Sequence, residues 1–209
     1  MTAPTVRGTA RDKLLTAAMT AIRQRGFNAT TVDDLCAAAG VTKGAFFHHF
    51  DSKEALGVAT AERWSTATAP LFATASYHDH EDPLDRVLGY IEFRRSILRG
   101  TTSEFTCVAG TMVQEIHATS PAIRAACDAA ISDHAATLEA DIEAAIKRYG
   151  LHPEWTARSL ALHTQAVLQG AFILAKAKND VAIAIDSVAH LRRYVELLFR
   201  NKSTGDNRQ

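Results

Sequence analysis

Side chains that can donate hydrogen bonds lie beside aromatic rings in one short stretch of the 209-residue chain. The run from Lys43 to Phe50 holds Lys43, His48 and His49 beside three phenylalanines and contains no acidic residue. Phosphates and base edges of DNA accept hydrogen bonds from such donors, and the major groove, about 12 Å wide, admits a helix that carries them. The run therefore predicts a helix that contacts double-stranded DNA. Phe46 and Phe50 lie about one helical turn apart, and we expect them to pack in the core instead.

The residues around this run predict two short helices joined by a tight turn. Thr31 and Asp34 form a capping-box pattern that begins a helix ending at Gly40, and Thr42 caps the next helix. Such a pair outlines a helix-turn-helix, whose second helix enters the major groove while the first crosses the backbone. Gly44 lies within the second helix, where glycine costs about 1 kcal/mol relative to alanine. A close approach of the backbone to a phosphate would favour glycine there.

Apolar residues at helical spacing and further caps predict helices along the rest of the chain. The predicted helices span residues 9–26, 31–40, 42–50, 52–73, 83–99, 106–118, 120–149, 153–177 and 181–199. The fold class is therefore all-α: an N-terminal three-helix helix-turn-helix head plus a C-terminal helical bundle, with about nine helices. We expect a DNA-binding domain over residues 1–55, a ligand-sensing and dimerisation domain over 56–200, and a disordered tail over 201–209.

Composition argues against several other classes of protein. The net charge is zero, although residues 1–56 carry seven basic and five acidic side chains, a weak local excess of positive charge. Cys36, Cys107 and Cys127 are an odd number in apolar surroundings, which favours reduced thiols over a disulfide framework. No apolar run reaches the roughly 20 residues of a membrane span, and the first charges are not followed by the apolar segment of a signal peptide. We expect a cytoplasmic protein that does not contact a membrane.

The sequence also lacks the patterns that are typical of enzymes. It contains no nucleophile–base set, no phosphate-binding glycine loop and no metal-ligand spacing. His78 and His80 flank Asp79, but a solvated acidic loop explains them more simply than a metal does. We therefore predict no catalytic residue, no metal and no cofactor.

Four groups of residues in the N-terminal quarter form a longer and more specific pattern. They are Thr30-Thr31, Ala39-Gly40-Val41-Thr42-Lys43-Gly44, Phe46-Phe47-His48-His49-Phe50, and Ser52-Lys53-Glu54 with Leu56. This pattern strongly resembles that of the tetracycline-repressor-like (TetR) family of transcriptional regulators. The rest of the chain is similar to the family in size, helical content and two long final helices. Residues 106–110 also resemble a cysteine-glycine segment that some members carry.

The resemblance implies which residues contact DNA. The implied set is Thr31, Thr42, Lys43, Gly44, Ala45, Phe47, His48, His49 and Lys53. Lys53 matches a lysine that grips a phosphate, and the methyl group of Ala45 would touch a thymine. Phe47 stands where members usually have tyrosine, so the hydroxyl for one phosphate contact is missing. Arg7 and Arg11 would form an N-terminal arm near the DNA backbone.

The resemblance further implies a homodimer and a small-molecule effector. Members pair through their last two helices, and the chain has apolar stripes there that serve either this pairing or packing within the chain. The stripes are Trp155, Leu162, Ala166, Gly170, Ala171, Val188, Leu191, Val195 and Leu198. The candidate effector residues are Trp64, Phe72, Tyr90, Phe93, Cys107, Met112, Glu115, His117, His163, Gln165 and Phe172. Any one of these is more often an ordinary core residue than a ligand contact.

The function that follows is a ligand-responsive repressor that binds a palindromic operator as a dimer. A ligand would favour a separation of the two heads that no longer matches the operator, with the helix over residues 52–73 as the lever. Two alternatives stay open: a helical binding or scaffold protein that has lost DNA recognition, and a thiol-based redox sensor that uses Cys107. Activation of transcription is as compatible with these residues as repression.

Overall fold

A computed structural model describes residues 8–200, and these residues form helices and loops without any strand. The α-helices are α1 (Ala10–Arg25), α2 (Val32–Ala39), α3 (Lys43–His49), α4 (Lys53–Ala73), α5 (Pro83–Ser96), α6 (Thr102–Phe105), α7 (Val108–Ile116), α8 (Pro121–Ala136), α9 (Glu139–Arg148), α10 (Ala157–Lys178) and α11 (Val181–Arg200). A 3-10 helix, Ser76–Asp79, lies between α4 and α5. The all-α class is confirmed. The predicted tail over 201–209 lies outside the described residues.

The first three helices begin and end at the residues that their caps predict. Thr9 and Thr31 each accept the backbone N–H of an aspartate three residues on, and that aspartate accepts the N–H of the threonine in return. The Thr42 side chain accepts the N–H of Ala45 in the first turn of α3. Gly26 and Gly40 follow α1 and α2 with φ angles of +89° and +63°, a region in which glycine avoids the Cβ penalty.

The helices form two compact units. The described parts of Met1–Ala69 and Thr106–Ala130 make up the first, which we call the head unit. Those of Pro70–Phe105 and Ile131–Gln209 make up the second, the bundle unit. The head unit thus includes α7 and the start of α8 in addition to the helix-turn-helix. The functional boundary at residue 55 stays a prediction.

The head unit has a continuous apolar core. Its fully buried side chains include Leu14, Leu15, Ile22, Leu35, Phe46, Leu56, Met112 and Ile123. Gly57 on α4 allows the closest approach in this core, because a Cβ there would lie 2.6 Å from Cδ1 of Ile123 and 2.8 Å from the ring of Phe27. The start of α4 is therefore packed directly against the start of α8.

In the bundle unit, α10 and α11 pack along each other, and α5 packs on α11 and α9. The side chains buried at these contacts include Tyr90, Ile91, Ile142, Leu168, Val188 and Val195. Arg86 on α5 and Asp141 on α9 add a half-buried ion pair, with Nε and Oδ1 2.6 Å apart.

Two predicted helices depart most from their predicted bounds, and the predicted helix over 83–99 ends three residues early, at Ser96. The predicted helix over 120–149 is interrupted after Ala136, where the Thr137 hydroxyl donates to the carbonyl of His134 at 2.8 Å. Threonine hydroxyls compete in this way with the helical ladder. This break and the unpredicted α6 raise the number of α-helices in residues 8–200 from about nine to eleven. Helix α10 begins at Ala157 rather than at residue 153, because Thr156 caps it.

Candidate nucleic-acid interface

Helix α3 turns its aromatic residues to two different sides. Phe46 and Phe50 are buried, as expected, with ring centroids 5.8 Å apart. Phe47 exposes 53% of its surface. The two buried rings anchor α3 in the head unit, and Phe47 remains available to another molecule.

The other exposed residues of this helix surround Phe47. Thr42, Lys43, Gly44, Phe47 and His48 are exposed, and we call these five residues the α3 face. Ala45 and His49 are half-buried, and the imidazole rings of His48 and His49 lie edge to face at 4.9 Å. The α3 face combines hydrogen-bond donors with a ring and contains no carboxylate, which suits contact with phosphates and base edges.

The sequence suggested that Gly44 lies in the middle of its helix. In the structure it is the second residue of α3. A Cβ at this position would meet only the hydroxyl oxygen of Thr42, at 3.8 Å. Packing among the described residues therefore does not require glycine at position 44.

The two lysines predicted to contact DNA have partners within the chain. Lys43 Nζ lies 2.8 Å from Asp33 Oδ1, and both side chains are exposed. Lys53 Nζ lies 4.4 Å from the ring centroid of Phe27 and donates to the carbonyl of Asn28 at 3.3 Å. Burial lowers the pKa of Lys53. Since exposed ion pairs contribute little and are screened by salt, a phosphate can replace Asp33 as the partner of Lys43.

Two further predicted contacts have partners inside the chain. The Thr31 hydroxyl donates to Asp34 at 2.7 Å while it accepts that residue's N–H at 3.1 Å, so a phosphate would compete with the cap. The guanidinium of Arg11 lies 5.5 Å from the ring centroid of Phe50, beside α3. Arg7 lies outside the described residues.

Glu115, which the sequence analysis placed among effector residues, holds the loop after α1 instead. Its carboxylate accepts the backbone N–H of Phe27 at 3.2 Å and that of Asn28 at 2.8 Å. Ser120 donates to the carboxylate of Glu54, at the start of α4. These bonds tie α7 and the start of α8 to both ends of the helix-turn-helix. No periodic pattern marks them, because the partners lie far apart in sequence.

Four candidate effector residues come together in the bundle unit. The ring centroid of Phe72 lies 6.0 Å from that of Tyr90 and 5.6 Å from that of Phe93. Arg94 joins Phe172 to this group, because its Cζ lies 5.2 Å from the Phe72 centroid and 5.9 Å from the Phe172 centroid. The sequence analysis missed Arg94, although its i,i+4 spacing from Tyr90 on α5 places both on one helix face.

A buried chain of hydrogen bonds crosses the same group. Gln165 Nε2 donates to the Tyr90 hydroxyl at 3.1 Å, and that hydroxyl lies 2.9 Å from His134 Nε2. Burial and the charge of Arg94 lower the pKa of His134 to about 4. Gln165 was a candidate from sequence, whereas His134 was not.

The remaining candidate effector residues lie elsewhere. Trp64, Cys107, Met112 and His117 belong to the head unit. The Trp64 ring centroid lies 5.2 Å from the Arg23 guanidinium, and Met112 is fully buried. His163 is exposed on α10, with its ring centroid 5.1 Å from that of Tyr194. The structure thus groups five of the eleven candidate residues, Gln165 included; the assignment itself stays a prediction.

The three cysteines are unpaired thiols in this structure. Cys107 is half-buried and caps α7, where its Sγ accepts the N–H of Gly110 at 3.4 Å. Cys36 and Cys127 are buried, and burial raises the pKa of Cys127 to about 12. Among residues 8–200, no three His, Cys, Asp or Glu side chains are placed to hold a metal ion. In the same range, no helix is both long and apolar enough to cross a membrane.

Two family models match the chain. The model for bacterial regulatory proteins of the tetR family matches residues 14–60. The model for the C-terminal domain of LmrA/YxaF-like transcriptional regulators matches residues 83–189, about half of the chain.

Several curated relatives are transcription regulators. The repressor KstR2 of Rhodococcus jostii is 50% identical over 46 residues, 22% of each protein. The regulator AcuR of Cereibacter sphaeroides is 28% identical over 117 residues, 56% of this chain and 53% of AcuR. The repressor NemR of Escherichia coli is 35% identical over 82 residues, 39% of this chain and 41% of NemR. The chain thus spans between about a fifth and about half of the length of these relatives.

Solved structures match over more of their length. The reduced form of E. coli NemR has a TM-score of 0.76 and 25% identity, over 89% of this chain and 96% of that one. A TetR-family regulator from Agrobacterium tumefaciens has a TM-score of 0.76 and 22% identity, over 89% and 97%. With the two family models, these likenesses confirm the resemblance found in the sequence. The chain belongs to the TetR family of bacterial transcriptional regulators.

Proposed function

We propose that this protein is a repressor that binds a palindromic operator as a homodimer and leaves it when a small molecule binds. The observation that carries the proposal is the α3 face, which is exposed, rich in donors and free of carboxylates. Phe46 and Phe50 fix its helix from the inside. The similar proteins KstR2 and NemR bear the name of repressors, which favours repression over activation. Binding to chromosomal DNA places the protein in the cytoplasm.

The α3 face would enter the major groove with its N-terminal end first, as recognition helices of this kind do. The hydroxyl of Thr42 and the ammonium group of Lys43 would then meet phosphates at the groove edge. His48 would donate to a base edge one turn further on, and the ring of Phe47 would pack against sugars or a thymine methyl. Gly44 would let the backbone come close to the DNA.

The test compares Lys43→Ala and His48→Ala with a matched control, Lys147→Ala. Lys147 is an exposed lysine on α9, so its substitution removes the same charge away from the α3 face. We expect Lys43→Ala to weaken binding to every DNA and to lower the salt slope by about one. His48→Ala should lose discrimination between operator and random DNA, and Lys147→Ala should bind as the unaltered protein does. If both head variants bind DNA unchanged, the α3 face does not recognise DNA and the repressor proposal is wrong.

For the homodimer, the support comes from exposed apolar residues on the last two helices. Leu162, Ile173, Leu174, Tyr194 and Leu197 are large apolar side chains that remain exposed on α10 and α11. By contrast, Val188, Leu191 and Val195, which the sequence offered for pairing, are buried within the chain. Those three therefore pack inside the chain, and the exposed set is the better interface. Pairing would hold the two heads about 34–36 Å apart, one turn of DNA.

Release by a ligand rests on the aromatic group of the bundle unit. Apolar sites with a few buried polar groups are typical for small molecules, and Tyr90 and Gln165 are such groups. The thiol alternative rests on Cys107, which is half-buried at the start of α7. Treatment with N-ethylmaleimide should release the operator if this alternative holds. A Cys107→Ser protein that responds like the unaltered one would remove it.

A further inference from the structure

Arg94 is a half-buried cation among aromatic rings of the bundle unit. Its guanidinium lies between the rings of Phe72 and Phe172, 5.2 Å and 5.9 Å from their centroids. Both phenylalanines are buried, and ring faces attract cations. The rings hold the guanidinium in place, but they offer no full negative charge.

No anion of the described chain neutralises this charge. Arg94 Nε is buried and has no hydrogen-bond partner. None of the ion pairs formed by residues 8–200 includes Arg94. Two other arginines of α5 are paired: Arg86 with Asp141 and Arg95 with Glu92, each at 2.6 Å. A partly buried guanidinium with an unpaired N–H is unfavourable unless another molecule supplies the acceptor.

The polar groups beside Arg94 are neutral. Gln165 on α10 donates to the Tyr90 hydroxyl on α5, which lies 2.9 Å from His134 Nε2 on α8. Burial and the Arg94 charge lower the pKa of His134 to about 4, and burial raises the pKa of Tyr90. Tyr77 on the 3-10 helix has its pKa raised to about 12, also by burial. Arg94 is therefore the one charged member of this group near neutral pH, and its field favours a negative ligand.

We propose that the Arg94 cluster, defined as Phe72, Tyr90, Phe93, Arg94, His134 and Phe172, binds a small organic monocarboxylate. The carboxylate would pair with the planar guanidinium, whose fork of donors matches two oxygens. The apolar body would pack on the phenylalanine rings. Phe93, Arg94 and His134 are half-buried, so part of each residue is exposed to solvent. A single arginine without a second cation fits one negative charge better than a phosphate dianion.

This inference rests on the proposed function, because it treats the bundle unit as the ligand-sensing part. The probes are cinnamate with cinnamamide and hexanoate with hexanamide, two pairs that differ in charge and hardly in shape. Calorimetric titration of the full-length protein near pH 7.5 measures their binding. We expect one acid or both to bind at least about tenfold more tightly than the matching amide.

The variant Arg94→Met removes the charge and keeps a long apolar side chain. It should abolish the preference for the acid, while the matched control Arg95→Met should keep it. Arg95 is the next residue of α5, exposed and paired with Glu92. An unchanged affinity of Arg94→Met for operator DNA without ligand would show that the variant folds. The comparison of acid with amide on the unaltered protein needs no variant at all.

Three results would overturn the inference: no binding of either acid, equal binding of acid and amide, or an acid preference that survives in Arg94→Met. The proposed function can fail separately. If an acid binds through Arg94 but saturation leaves operator affinity unchanged, the cluster is an anion site and ligand release is wrong. If a neutral amide releases the operator equally from the unaltered protein and Arg94→Met, ligand release stands and the anion site is wrong.

Discussion

The residues of α3 were largely predictable from their types and spacing. Phe46 and Phe50 are about one turn apart, so periodicity alone assigned them to the core. The exposed positions followed from the same periodicity. The ion pair of Lys43 with Asp33 could not be predicted from periodicity, because Asp33 lies on the preceding helix and the contact depends on how the two helices pack. The contacts of Arg94 could not be predicted for a similar reason, because its phenylalanine partners lie on two other helices, α4 and α10.

Gly44→Ala separates folding from DNA binding. The added methyl group has open space within the chain, and alanine is the better helix former. We expect the free energy of unfolding to stay equal or rise, by no more than about 1 kcal/mol. Operator affinity should fall by at least roughly tenfold, because the methyl group would stand between backbone and DNA. Urea unfolding and operator titration check the two effects, and unchanged operator affinity would refute the close approach.

His134 predicts a loss of stability in mild acid. Its pKa is about 4 in the folded protein against 6.5 for an unperturbed histidine, so the unfolded chain binds the proton more readily. Stability from this group is complete above about pH 7 and declines as the pH falls towards about 4, by on the order of 3 kcal/mol. His134→Gln keeps an acceptor for Tyr90 and should flatten this decline. His163→Gln, at an exposed histidine, should not, and equal pH profiles for both variants would contradict the assignment.

At the scale of helices, the capping residues allowed the helix ends to be predicted, whereas the contacts between helices could not be predicted. Thr9, Thr31 and Thr42 act within one turn of their own helices, so the sequence displays them directly. The break between α8 and α9 depends on a threonine hydroxyl in the middle of a favourable helical pattern. The pattern could not distinguish α11 residues that pack within the chain from those left exposed, because both lie on apolar stripes.

Glu115 gives α7 a role in holding the helix-turn-helix. Replacing it with alanine removes the acceptor of two backbone N–H groups in the loop after α1. We expect Glu115→Ala to lower the free energy of unfolding by about 1–3 kcal/mol. Glu143→Ala, at an exposed residue of α9, is the matched control and should be near neutral. Urea denaturation followed by circular dichroism measures the stability of both variants. Equal unfolding midpoints for Glu115→Ala and Glu143→Ala would show that the hydrogen bonds of Glu115 do not stabilise the head unit.

The exposed face of α10 and α11 predicts the assembly state. A double variant, Leu174→Glu with Leu197→Glu, places two charges in the proposed interface. Both side chains are about half exposed in the single chain, so the variant should fold yet sediment as a monomer. Leu71→Glu, at an equally exposed leucine of α4, should remain dimeric. Sedimentation velocity makes the comparison, and a double variant that dimerises like the control would place the interface elsewhere.

For the whole molecule, family membership and fold could be predicted from the sequence, whereas Arg94 and His134 of the Arg94 cluster could not. The helix-turn-helix residues are contiguous and chemically specific, and they alone carried the resemblance. The bundle unit assembles its polar groups from α5, α8 and α10, whose sequences look like ordinary amphipathic helices. A single head would bind a half-site weakly, whereas a two-fold dimer would bind two half-sites at once. The proposed recognition of an operator depends on this pairing.

The most direct test selects DNA from a random pool with the purified protein and then titrates the selected sequence against random DNA across salt. We expect an enriched palindrome with half-sites about one helical turn apart, bound by two chains. We also expect an affinity that falls steeply and linearly on logarithmic axes as salt rises, and a clear preference over random DNA. A pool without any enriched sequence, and equal affinity for all DNA, would contradict the central claim that this protein recognises an operator through α3.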